Sequence, residues 1–212
     1  MDTKEFKEKL KYGQLDFNDY QLEEINLGIK SGVDVSVYAN KEFNSEQMYQ
    51  IRLGLEEGVD VTSFAKPDMN PTEMGIRRCG LLENIDIERY FNGDFNDNQL
   101  SVIYYGLDNG FDVSAYDKPE FSHEQMEELY CGVTEGLDVT SLANPDFPAE
   151  LIEILVFYLN KGNDLSEYAK VGITGKLQLG FIKAVLDMGL EVNIPDNFKY
   201  KHVDFAHGME SF

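Results

Sequence analysis

Positive charge is what this 212-residue chain has least of. It carries 18 Lys and Arg against 39 Asp and Glu, a formal net charge of −21. Direct nucleic-acid binding needs a cationic footprint to displace counterions from phosphates, and docking on an anionic membrane needs a basic patch, so the balance argues against both. There is no tryptophan, and there are only two cysteines and three histidines. The opening MDTKEFKEKLKYG places no apolar stretch after its charges and does not read as a secretory leader. Two thiols without such a leader suggest a reducing compartment. No apolar run approaches the roughly 18 residues of a membrane span. Hydrophobic residues nevertheless make up 42 % of the chain and aromatics 12 %, too many for a disordered acidic tail.

What is present is a repeat. Phe17, Phe43, Met69, Phe95, Phe121 and Phe147 follow one another at 26-residue intervals. Each starts the same pattern. Gly28, Gly54, Gly80, Gly106 and Gly132 form one column, with Tyr158 in the sixth copy. Gly32, Gly58, Asn84, Gly110, Gly136 and Gly162 form a second, and Asp34, Asp60, Asp86, Asp112, Asp138 and Asp164 a third. A degraded seventh copy slips by one residue and ends at Gly189, Glu191 and Val192.

Each unit has a physical reading. Asn18, Asn44, Asn70, Asn96 and Ser122 stand where helices should begin, because their side chains accept bonds from free amides; Pro148 fills the sixth slot. Apolar residues then fall at i, i+3 and i+7, as in Leu22, Ile25 and Ile29, which makes one helix face. The second Gly column supplies a left-handed cap, with Asn84 the usual substitute. The Asp column should cap a second, shorter turn. The first Gly column lies inside the helices at about 1 kcal/mol each, which close approach between neighbouring helices would offset. One unit cannot bury its own stripe, whereas stacked units can. The expected fold is therefore all-α: an α-solenoid of about seven helix–turn–short-helix repeats over 17–192. It would have an N-terminal cap over 1–16 and an aromatic C-terminal segment over 193–212. That segment, with Phe198, Tyr200, Val203, Phe205 and Phe212, would cover the last repeat or act as a docking peptide.

Catalytic constellations are not apparent. His123 occupies a variable surface column, and His202 and His207 are spaced wrongly for two ligands on one helical face. Phosphate loops and nucleophile elbows are missing. Adjacent acids such as Glu127 and Glu128 should splay outward on a helix. No enzyme activity, cofactor or metal is expected. Cys79 and Cys131 share a column with Leu27, Leu53, Tyr105 and Phe157, which predicts free thiols in the core, two repeats apart.

The negative charge is uneven. Residues 17–89 hold 14 acids and 7 bases, whereas 90–160 hold 14 acids and the single base Lys118. No Lys or Arg lies between Lys118 and Lys161. Like charges at this density repel. Two explanations stand: solubility together with helix capping, or a carboxylate strip that imitates a nucleic-acid backbone and enters a basic channel. Asp108, Asp112, Glu120, Glu124, Glu127, Glu128, Glu135, Asp138, Glu150 and Glu153 are the candidate contact residues. A different class of function would be a neutral scaffold that binds a peptide along its groove, through Asn26, Arg52, Arg78, Tyr104 and Tyr130.

The repeat itself, for example FNSEQMYQIRLGLEEGVDVTSFAKP and FSHEQMEELYCGVTEGLDVTSLANP, resembles a family of short helical-repeat proteins of phages and mobile elements of gut Firmicutes. The resemblance implies a binding scaffold without shared catalytic residues, acting in the cytoplasm of a bacterial host cell. With the acidity, it is similar to small anti-defence inhibitors of the anti-CRISPR or anti-restriction type, whose partner would be a basic, nucleic-acid-binding nuclease complex. The third unit departs from the pattern: Arg77 replaces an apolar residue, Asn84 a Gly and Phe91 an Ala, which predicts a bend or a distinct contact there.

Overall fold

The computed structural model describes residues 16–170 and 172–190, together with Glu8. Among them the chain is all-helical, with eight α-helices and no strand. These are α1 (Asp19–Ser31), α2 (Ser45–Glu57), α3 (Pro71–Glu83), α4 (Asp97–Asp108), α5 (His123–Thr134), α6 (Ala149–Asn160), α7 (Ser166–Lys170) and α8 (Lys176–Asp187). Short 3₁₀ turns over Val35–Val37, Val61–Ser63 and Glu88–Tyr90 follow the first three. The expected caps over 1–16 and 193–212 fall almost wholly outside the described residues.

The helices begin where the sequence places their caps. Asn18, Asn44, Asn70, Asn96 and Ser122 each accept a bond from the backbone amide three residues on. At the other end, Gly32, Gly58 and Asn84 are left-handed, with φ of 82°, 77° and 57°. The Asp column caps the short turns: Asp34 accepts from the Ser36 hydroxyl at 2.7 Å and its amide at 3.0 Å, and Asp60 treats Thr62 in the same way. These bonds hold both carboxyls below the usual aspartate range, the hydroxyl contributing most.

The chain divides at Gly110 into two compact units, Met1–Gly110 and Phe111–Phe212. In the first, α1 packs on α2, α2 on α3 and α3 on α4; in the second, α5 packs on α6. Each unit is thus a stack of successive repeats. The core of the first is built from the apolar stripe and the short turns together: Ile25, Val35, Tyr38, Met48, Ile51, Phe64 and Met74 are all essentially inaccessible.

Glutamine fixes one repeat to the next. Gln21, Gln47, Gln99 and Gln125 close capping boxes with their N-cap residues, and all four are buried. The amide of Gln47 also donates to the carbonyls of Pro67 and Met69 at 2.9 and 2.7 Å, and Gln125 does the same to Pro145 and Phe147. Gln21 reaches the Phe43 carbonyl at 2.6 Å. These connector carbonyls lack a helical partner, and the glutamine supplies one.

Two expectations about packing change. The inner Gly column serves mainly the repeat's own short turn, not the neighbouring helix. A Cβ at Gly54 would lie 2.8 Å from Val61 Cγ1 and 2.9 Å from Phe64 Cζ, and one at Gly80 2.7 Å from Ile87 Cγ2. Gly132 meets Val139 first and the adjacent helix, at Val156, second. The cysteine column, for its part, is not core. Cys131 is exposed and Cys79 half-buried, both free, while Tyr105 and Phe157 are 54 % and 50 % exposed. The column lies at the edge of the apolar stripe, and the helix turns it outward.

The odd third repeat forms a distinct contact. Arg77 takes the stripe position that Ile25 and Ile51 fill elsewhere. Its guanidinium pairs with Glu73 at 3.1 Å and with Glu88, and lies 3.9 Å from the centre of the Phe91 ring. Glu73 stands where four other repeats have the capping Gln, Glu88 where the others have Ser or Thr, and Phe91 where four have Ala. The departures are one coupled substitution: a charge in the core stripe needs two carboxylates and an aromatic face.

Candidate partner-binding face

Each repeat helix buries the stripe and leaves a polar face outward. On α5 that face carries Glu124 and Glu127, with Glu128 half-buried beside them and Glu135 just past the helix end. On α6 it carries Glu150 and Glu153, the repeat equivalents of Glu124 and Glu127. Helices packed about 8–10 Å apart set these acids in rows. Six of the ten expected contact residues therefore share one surface. Asp112 and Asp138 do not: they cap the turns after the helices, accepting from the amides of Ser114 and Thr140 at 2.9 and 3.0 Å. The Ser114 amide and then its hydroxyl depress the Asp112 carboxyl, and the Thr140 hydroxyl and then its amide depress that of Asp138. Glu120 is exposed on a connector, and Asp108 ends α4 in the first unit.

The two units treat their acids differently. In the first, Arg52 Nε lies 2.8 Å from Glu24, and its Nη1 reaches both oxygens of Glu56 at 2.9 Å. Arg78 Nη1 donates to both oxygens of Glu57 at 2.5 Å, and Nε to Gln50 at 3.1 Å. Arginine thus joins the first three repeats through one column, which holds Asn26 in the first repeat and Tyr104 in the fourth. In the second unit that column holds Tyr130 and the buried Val156. Glu128 is the repeat equivalent of Glu24, and the residue that would neutralise it is a valine. Among the described residues, Glu127, Glu128, Glu150 and Glu153 form no ion pair. Among the described residues the one ion-pair partner of Glu124 is His123, at 3.2 Å, and Glu135 accepts from Asn160.

The field of these carboxylates registers on nearby groups. Burial, then Glu153 and Glu127, push the Glu128 carboxyl above the usual glutamate range. Burial, then Glu128, Glu127 and Glu135, push the Cys131 thiol up, so an accessible sulfur is kept from its reactive thiolate form. Glu124 is held low by its own backbone amide at the helix start and by Ser122.

One feature of the surface was not legible from the sequence. Phe157, one turn after Glu153, is half-exposed, packs edge-on to Tyr158 at 5.3 Å, and has Lys161 Nζ 4.7 Å from its ring centre. Its place in an apolar-looking column suggested core. The signal available was Lys161 at i+4, a charge that would have to be buried with it. The second functional class loses two of its groove residues to structure, because Arg52 and Arg78 are engaged between repeats. Among the described residues, no three His, Cys, Asp or Glu side chains converge as a metal site, and no helix is long and apolar enough to cross a membrane. The chain matches no protein-family model, no curated protein and no solved structure.

Proposed function

We propose that the chain is a non-enzymatic binding protein whose α5–α6 face docks a basic protein partner. The observation that supports this is the contrast between the units. The same repeat column that neutralises acids internally through Arg52 and Arg78 holds Tyr130 and Val156 beside Glu128, where the acids are left for an external cation. A requirement for solubility alone would be met by exposed acids anywhere and gives no reason to remove the inter-repeat arginines from one unit. The finer version, in keeping with the resemblance of the repeat, is a nucleic-acid-mimicking inhibitor of a bacterial defence nuclease, in which the carboxylate rows stand in for phosphates in a basic channel. Phe157 would add an apolar anchor among the charges.

The test is association kinetics against a panel of basic, nucleic-acid-binding nucleases, with DNA as competitor, at ionic strengths from about 0.05 to 0.5 M. Binding should weaken steeply with salt and be lost when DNA fills the channel. Replacing Glu124, Glu127, Glu128 and Glu135 by Gln should slow association, since charges at the rim act mainly on the on-rate. Glu23, Glu46 and Glu83 serve as controls, being exposed and free of ion pairs with Arg. Equal loss in both sets, or indifference to salt, would refute the reading.

A further inference from the structure

The last described helix carries an apolar face that none of the described residues covers. Leu177, Phe181 and Met188 on and just after α8 are 90 %, 71 % and 66 % exposed, and Leu190 beyond them 56 %. Leu177, Phe181, Ala184 and Met188 stand at i, i+4, i+7 and i+11, so they share one stripe. The opposite face is the usual one, with Leu179 and Ile182 buried.

The repeat shows what this face is for. With Gln178 set against Gln125, Leu177 falls on the column of Glu124 and Glu150, and Met188 on that of Glu135. Phe181 falls on the column of Glu24, Gln50, Ile76, Val102, Glu128 and Ile154, in which Glu24 and Gln50 meet the next repeat by way of Arg52 and Arg78 and Ile76 and Val102 are buried. At α8 the columns of Leu177 and Met188, polar in nearly every other repeat, have become large and apolar, and Phe181 keeps the apolar character of a column that is buried at Ile76 and Val102. A face of that kind is built to be covered.

We propose that this face docks the chain's own residues 193–212, seated through Phe198, Tyr200 and Phe205. Reach permits it. The thirteen steps from Leu177 to Leu190 cover roughly 20 Å at helical rise. The eight residues from Leu190 to Phe198 can span up to about 27 Å, so the first aromatic can meet any point of the stripe. Tethering favours it, since a short linker gives an effective concentration of about a millimolar, which a second copy or a foreign helix must supply from solution. The proposal is independent of the acidic face.

Hydrogen exchange on the full chain tests it, comparing wild type with Phe198→Ser/Tyr200→Ser/Phe205→Ser. Exchange in α8 should quicken by at least about tenfold, with α5 and α6 unchanged, and the variant should gain binding of an apolar dye. Unchanged α8 exchange and dye binding would overturn the proposal. So would a wild-type chain that is dimeric and becomes monomeric with Phe181→Asp but not with the triple change, which would make the occupant a second copy. Should the triple variant lose its helical signal, Phe181→Asp decides: exchange in 193–212 must then quicken, and unaltered exchange there refutes the docking.

Discussion

Replacing Gly54 by Ala is expected to destabilise the first unit, although Ala is the better helix former. A Cβ at Gly54 would sit 2.8 Å from Val61 Cγ1 and 2.9 Å from Phe64 Cζ. Comfortable carbon–carbon contact is about 3.5–4.0 Å. Neither neighbour can yield easily, because Val61 and Phe64 are buried at either end of a turn pinned by Asp60 and by the Phe64 amide on the Val61 carbonyl. Overpacking of this kind costs about 1–3 kcal/mol, and the gain in helix propensity returns about 1 kcal/mol. The net loss is then about 1 kcal/mol. Gly75 is the internal control. It also lies mid-helix, but its added Cβ would meet only the end of the Gln50 side chain, at 3.3 Å, which need give by only a few tenths of an ångström and can do so without leaving Arg78. Gly75→Ala should therefore stabilise by up to about 1 kcal/mol. The two variants should differ by about 2 kcal/mol, a separation of roughly 8 °C or more in midpoint for a unit of this size. Thermal and urea unfolding followed by far-UV circular dichroism read it directly. Equal stability of the two variants would mean that close approach of the short turn is not why glycine stands in that column.

Gln47→Leu should cost about 1–3 kcal/mol in urea unfolding, because the buried Met69 carbonyl and the part-buried Pro67 carbonyl lose their donor. Gln47→Glu should cost nearly as much despite keeping the capping box, since a carboxylate cannot donate to them; a mild Glu variant would show that capping, not the inter-repeat bond, carries the effect. Glu128→Gln should stabilise the second unit at pH 7. The folded carboxyl is raised above its unfolded value, so the wild type is penalised when ionised and relieved as pH falls through the folded pKa. The gain should therefore vanish below about pH 4.5 in parallel pH-dependent melts, and a gain persisting there would refute the electrostatic cause. Alkylation of Cys131 should quicken when Glu127, Glu128 and Glu135 are changed to Gln, because the thiolate is then less disfavoured. Rates of single-cysteine chains carrying Cys79→Ser check this, and an unchanged rate would mean that burial alone raises the thiol.

The repeat, the helix starts and ends, and the short capped turns can be read from residue order alone. Each depends on contacts only two to five residues apart: Asn18 with the Gln21 amide, Asp34 with Ser36, Gly32 with its own φ. Local chemistry of that kind is written in the residue order. The uneven charge was legible too, since counting needs no coordinates. Which groups meet across repeats is set by the way the helices pack. Gln47 reads as half of a capping box until its amide is seen on the carbonyls twenty and twenty-two residues on. Cys131 and Phe157 look like core because they sit beside the apolar stripe, yet a rotation of one helical position carries them to the surface. Arg77, Glu73, Glu88 and Phe91 look like four separate irregularities and are one cluster. The pairing of Glu24 with Arg52, and the valine that stands in the same place beside Glu128, depends on two helices lying side by side. A pattern of residues along one chain specifies each helix face, but the partner of that face is set by packing, and it is packing that separates a neutralised carboxylate from an open one.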